Sequence, residues 1–169
     1  MARRESGSTL VRFYQLPPGP VERALMGLLG RIYAKNLKAC LVAASPEQAA
    51  RLDESLWTQS VDSFLPHGPC TGPDVALHPI LICTEPRDTN GATVLVLAHG
   101  RFVDTYADFD MVLDFVIDQS PEGLQISRGR YRRYRDAGCR MEYWVHVRES
   151  GWQLKAQETK DRSPQSLQA

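Results

Sequence analysis

Leu37-Lys38-Ala39-Cys40-Leu41-Val42-Ala43-Ala44 is an almost unbroken apolar run. A strand that alternates apolar and polar residues has one wet face. A run like this one predicts a strand buried on both faces, which is the habit of parallel sheets covered by helices on either side. Just upstream, Val21, Leu25, Leu28 and Ile32 recur at helical spacing, so a helix is expected from Pro20, taken as its first residue, to about Lys35. Asn36 suits the left-handed position that ends such a helix. Further upstream, Thr9–Leu16 alternates and carries Val11, Phe13 and Tyr14, which predicts a first strand. Strand, helix and apolar strand make a βαβ unit, and a parallel pair is its default arrangement.

Downstream, Ser45-Pro46-Glu47 combines a cap, a proline and an acid near the positive end of the helix dipole. A second helix is expected to about Leu56. Residues 58–79 are rich in turn formers. Val75–Cys83, Thr93–Ala98, Met111–Ile117 and Arg140–Val147 are expected strands, and Asn90-Gly91 is a turn. The pattern predicts an α/β fold: a single three-layer domain with a mostly parallel central sheet and helices on both faces. The expected divisions are a flexible N-terminal tail (1–8), the α/β domain (9–148) and a polar, mobile C-terminal tail (149–169).

Charge is balanced at 20 Lys/Arg against 20 Asp/Glu in 169 residues, but it is unevenly placed. Residues 1–118 hold 10 basic and 14 acidic side chains, whereas residues 119–140 hold 6 basic and 2 acidic. One docking patch fits this better than a molecule-wide attraction to polyanions. The four cysteines are scattered singly and imply free thiols in a reducing compartment. No stretch approaches the ~20 apolar residues of a membrane span, and the first residues lack an apolar signal core. The expected location is the cytoplasm.

Several chemistries lack their signatures. After the first strand stands Pro17-Pro18-Gly19-Pro20 rather than a glycine-rich phosphate loop, and prolines remove the donors such a loop uses. The fold is therefore expected to be Rossmann-like without a nucleotide site. The histidines have no metal-ligand spacing, and no nucleophile elbow occurs. Asp104, Asp108, Asp110 and Asp114 are expected to be solvated residues around a strand start. No catalytic residue, cofactor or metal is assigned.

The basic charge lies in Ser120-Pro121-Glu122-Gly123-Leu124-Gln125-Ile126-Ser127-Arg128-Gly129-Arg130-Tyr131-Arg132-Arg133-Tyr134-Arg135-Asp136-Ala137-Gly138. Ser120 caps the helix, Pro121 opens it and Gly138 ends it. At 100° per residue, Gly123, Ile126, Ser127, Tyr134 and Ala137 form an expected packing side. Leu124, Arg128, Tyr131 and Arg135 form a neighbouring face flanked by Arg132, while Arg130 and Arg133 point away from it. Guanidinium forks beside an aromatic and an aliphatic side chain suit an acidic, partly apolar peptide. A solvated face, or a nucleic-acid patch with Tyr131 stacking on a base, uses the same residues. A second feature is Leu56-Trp57 with Ser63-Phe64-Leu65-Pro66, either a satellite of the core or a protein-docking patch.

Residues 10–144 resemble the chi subunit of bacterial DNA polymerase III. The resemblance rests on Arg51-Leu52-Asp53-Glu54-Ser55-Leu56-Trp57, Ser63-Phe64-Leu65-Pro66-His67, Val112-Leu113-Asp114-Phe115-Val116 and Arg130–Gly138. It implies a non-catalytic accessory subunit of the replication machinery, associated with the bacterial nucleoid. Such a subunit links the clamp loader, through the psi subunit, to the acidic, phenylalanine-ended C-terminal tail of single-stranded DNA-binding protein. DNA is then reached mainly through that protein. The implied tail site is Arg128, Tyr131 and Arg132 with Ile117 as an apolar wall, beside Arg135 and Leu124. Leu124 stands where family members carry a lysine. The implied surface for psi, or for a helicase competing with it, is Trp57, Phe64, Leu65 and Pro66. A direct single-stranded nucleic-acid module built on the same helix is the alternative.

Overall fold

A computed structural model of the chain describes residues 9–58 and 64–159. Eight strands form one sheet: β1 (Leu10–Gln15), β2 (Ala39–Val42), β3 (His67–Pro69), β4 (Ile80–Cys83), β5 (Val94–Leu97), β6 (Met111–Val116), β7 (Arg140–Val147) and β8 (Gly151–Glu158). Their order is β3-β4-β2-β5-β6-β1-β7-β8. All neighbours pair in parallel except β7 and β8, which form an antiparallel hairpin. Helices α1 (Val21–Ala34) and α2 (Pro46–Thr58) cover one face, and α3 (Pro121–Asp136) covers the other. This is the expected three-layer α/β domain.

The apolar run at residues 37–44 contains a central strand, β2. Every residue of β2 is buried, with Cys40 and Val42 facing the α3 layer and Ala39 and Leu41 the α1–α2 layer. β1 and β2 are both parallel members of the sheet but are not neighbours, because β5 and β6 lie between them. Later strands filled the gap that the first crossover left open, and nothing local to residues 9–44 encodes that.

Caps behave as the residue types require. Ser45 Oγ accepts from Gln48 N at 3.1 Å, and Ser120 Oγ accepts from Gly123 N at 3.1 Å. Such caps are each worth about 1 kcal/mol. Asn36 takes the left-handed conformation (φ 57°) after α1. Pro20 is the cap of α1 rather than its first helical residue.

Four expectations need correction. Val75–Leu77 forms a short 3-10 turn, so β4 begins only at Ile80. The loop-rich segment contributes the short edge strand β3. Residues 149–169 were expected as a mobile tail, yet Gly151–Glu158 is a strand registered against β7 from Val147↔Gly151 to Met141↔Glu158. Its anchor is Trp152, which packs edge-on against Tyr14 at 4.9 Å. Finally, Asp114 is no solvated loop residue. It sits in the middle of β6, fully buried, on the face under α3. The tail expected at residues 1–8 lies outside the described residues. No helix among the described residues is long and apolar enough to cross a membrane.

Candidate functional site

The buried carboxylate of Asp114 decides how α3 sits. Arg130 meets it with two hydrogen bonds, Nε to Oδ2 and Nη2 to Oδ1, both 3.1 Å, and Nη2 also donates to the carbonyl of Phe115 at 3.0 Å. Burial pushes the Asp114 carboxyl up to about 6, against the lowering pull of Arg130. Removing one member of such a pair strands the other charge in the interior, so the pair pins the helix. The stripe facing the sheet is therefore Gly123, Ser127, Arg130 and Tyr134. Ile126 lies roughly 60° from its centre. Ile126 was expected to pack, but it is 64% exposed, and Ala137 is exposed as well. Gly123 is required where it is, because a Cβ there would run into the backbone oxygen and side chain of Asp118.

The five arginines of α3 have different fates. Arg130 is consumed by Asp114. Arg133 bonds Asp104 Oδ1 at 3.2 Å and lies over the Phe102 ring at 3.6 Å. Arg135 bonds the neighbouring Asp136 at 3.2 Å. Among the described residues, no carboxylate lies within ion-pair distance of Arg128 or Arg132.

Those two arginines line one groove of about 670 Å³, together with Leu124 and Tyr131. Its floor is Phe13, Val116 and Ser127, and its far wall is Tyr143, Ala156 and Glu158. Tyr131 stands edge-on to Phe13 (5.3 Å) and to Tyr143 (6.5 Å), which holds its ring upright between the helix and the hairpin. Burial, and next the charge of Glu158, raise the Tyr131 pKa, so its hydroxyl remains protonated. The result, among the described residues, is an apolar slot with two unpaired guanidinium groups on one rim and a single carboxylate on the other.

Of the residues expected at this site, Leu124, Arg128, Tyr131 and Arg132 come together. Arg135 does not line the groove; it is a helical turn too far along α3 and turns to Asp136. Ile117 is half-exposed but lines a separate hollow with Leu16, Pro17 and Gln119. The far wall was missed, because Ala156 and Glu158 belong to the segment read as a tail. The alternation in Trp152-Gln153-Leu154 was the signal that could have revealed it.

The second expected surface lies where α2 ends. Trp57 and Phe64 are 59% and 55% exposed, and their rings are 5.1 Å apart. Both rest near the buried His67, Trp57 edge-on at 5.0 Å. His67 is fixed from below: Nδ1 lies 2.7 Å from the Leu65 carbonyl, and Nε2 lies 3.2 Å from Asp53 Oδ1. Leu65 was expected on the surface but is buried in the α1–α2 core, and Pro66 is only partly exposed. The patch is thus two large rings on a rigid base. Ser63 of the same motif lies outside the described residues.

The model of the DNA polymerase III chi subunit, HolC, matches residues 9–142. The chain belongs to the DNA polymerase III chi-subunit family. Members of that family are accessory subunits of DNA replication. The chain is 35% identical over 123 residues to the DNA polymerase III subunit chi of Escherichia coli (strain K12), covering 70% of this chain and 80% of that one. It is also 35% identical over 75 residues to the probable DNA polymerase III subunit chi of Rickettsia prowazekii (strain Madrid E). That second match spans 44% of this chain and about half (46%) of the relative. The family match ends inside β7, so most of β7 and all of β8 lie beyond it.

Proposed function

We propose that the chain acts as a non-catalytic accessory subunit of the DNA polymerase III holoenzyme. It tethers the clamp loader to single-stranded DNA-binding protein by taking that protein's acidic, aromatic-ended C-terminal tail in the α3 groove. This reading is supported by Arg128 and Arg132, which have no carboxylate partner among the described residues and lie beside an apolar slot. Their forks donate bidentately to carboxylates of the tail, while Leu124, Tyr131 and the Phe13 floor receive the terminal ring. A tail presented in several copies gains from multivalency, so a weak single contact suffices. The exposed Trp57–Phe64 pair serves the second partner, psi or a helicase competing for the same surface, as paired aromatic anchors do at interfaces.

The test is a titration of the full chain with a peptide of the acidic tail. Arg128→Ala is expected to weaken binding roughly tenfold and to leave the melting transition in place. Unchanged affinity overturns the assignment. For the second surface, Phe64→Ala is expected to release the psi-like partner in a pull-down while tail binding persists. Loss of both would mean that the variant misfolds.

A further inference from the structure

On the opposite side of the sheet lies a basic channel that the tail groove leaves unexplained. Two hollows, of about 240 and 720 Å³, run between α1 and the β7–β8 hairpin and share Arg31 and Trp152 as a common wall. We infer that this channel binds single-stranded nucleic acid directly.

The first observation is the charge. Arg23, Arg31 and Lys35 stand in one row along α1, at steps of eight and four residues, and all are exposed. The row spans roughly 18 Å of helix. Arg148, in the β7–β8 turn, and Arg12, on β1, face it from the sheet side. Among the described residues, no Asp or Glu lines either hollow. Among the described residues, no carboxylate pairs with Arg23, Arg31, Lys35 or Arg148; only Arg12 has one, the buried Glu142 at 2.7 Å. A row of unpaired cations in a chain of zero net charge is a local track for a polyanion.

The second observation is the aromatic lining. Trp144 and Trp152 project from adjacent strands into the same channel, both partly exposed. They are held in place before any ligand arrives. Trp144 Nε1 donates to Glu142 Oε2 at 2.9 Å, and the Arg12 guanidinium lies 5.6 Å from its ring centre. Trp152 is wedged edge-on between Tyr14 (4.9 Å) and His146 (5.1 Å). Trp144 is also stacked on Tyr14, ring centres 6.4 Å apart, and aromatics fixed beside a cationic track are the combination by which proteins hold unpaired bases and their backbone together. Paired bases would offer no free face, which selects a single strand over a duplex. An acidic peptide would need only the cations and would leave two oriented indoles unused.

Part of the site lies beyond the family match, whereas Arg12, Arg23, Arg31 and Lys35 lie within it. Trp144, His146, Arg148 and Trp152 all follow residue 142, where the family match ends. The inference therefore adds a contact that does not pass through a protein tail, on the face away from α3.

The test is fluorescence anisotropy of the full chain with a labelled oligothymidylate of about 15 nucleotides, at low and at near-physiological salt. The double variant Arg31→Glu/Lys35→Glu is expected to weaken binding at least roughly tenfold and to lower the salt slope by about 1.4. Both side chains are exposed, so the melting transition should be retained. A matched reversal elsewhere, Arg87→Glu/Arg101→Glu, is expected to leave affinity within about twofold. Trp152→Ala is expected to weaken binding roughly tenfold, and Trp152→Phe to restore most of it. Arg128→Ala/Arg132→Ala is expected to leave oligonucleotide binding unchanged, and Arg31→Glu/Lys35→Glu to leave tail-peptide binding unchanged. Four results would overturn the inference: no binding by the unmodified chain, an equal loss in the matched control, loss that follows Arg128 and Arg132, or an acidic peptide rather than the oligonucleotide released by the α1 reversal.

Discussion

The two faces of the sheet carry two basic, aromatic recesses that differ in composition. The α3 groove has two free arginines, an apolar floor and a carboxylate on its rim. The α1 channel has five cations, no lining carboxylate and two indoles. The first is short and mixed, which suits the end of a peptide. The second is long and uniformly positive, which suits a backbone with charge at every residue. Density of arginine in the sequence pointed only to the first. Tertiary pairing uses up two of the five arginines on α3 and a neighbouring carboxylate takes a third, whereas four of the five cations of the α1 channel have no carboxylate partner among the described residues.

The sharpest way to break this comparison is to separate arginines that the sequence writes alike. Arg130→Ala should strand the Asp114 charge and destabilise the fold by about 3–5 kcal/mol in urea unfolding. Arg128→Ala, two positions earlier, should cost less than about 0.5 kcal/mol. Equal losses would mean that α3 is not pinned by Asp114. Next in size is the pH response at the end of β5, near Arg130 of α3. Burial, and then the charges of Arg101 and Arg130, lower His99 to about 4. A histidine depressed in this way contributes stability that is present above its unfolded pKa, near 6.5, and is lost as pH falls toward 4. Asp114, raised to about 6, acts in the opposite sense, contributing stability at low pH that is lost as pH rises through 6. His99→Gln should therefore flatten the acid limb of the stability profile; a profile identical to that of the unmodified chain would remove His99 from the account. The smallest expected effect sharpens the groove itself. Glu158→Gln removes the one carboxylate that lines it among the described residues and should tighten binding of an acidic tail peptide by about two- to threefold, more at low salt. Weaker binding would show that Glu158 holds the peptide rather than repelling it.

Much of this was legible from residue patterns. The apolar run at residues 37–44, the stepped apolar residues of α1 and the caps at Ser45 and Ser120 are local signals, and each became the expected element. The turn-rich stretch before Ile80 concealed β3, because a three-residue edge strand has too little pattern to detect. β8 was missed for a different reason. Its outer residues from Leu154 to Glu158 are exposed, so its composition looks like that of a tail, and only pairing with β7 makes it a strand. Ile126 was misplaced because a helical wheel gives angles but no zero. The zero was set by Asp114, which the sequence showed only as one more acid near a strand start.

By itself the sequence determined the kinds of elements, their three-layer arrangement and the presence of one strongly basic helix. Hydrophobic period and cap chemistry act within a few residues, so these can be read along the chain. The tertiary structure decided which arginines are free and which are spent. It also decided that the hairpin after residue 140 walls two recesses at once, and that cations scattered from Arg12 to Arg148 share one channel. The pairings of Arg130 and Arg133 join residues 16 and 29 positions apart, and the α1 channel joins residues from Arg12 to Arg148; no local pattern records such a meeting.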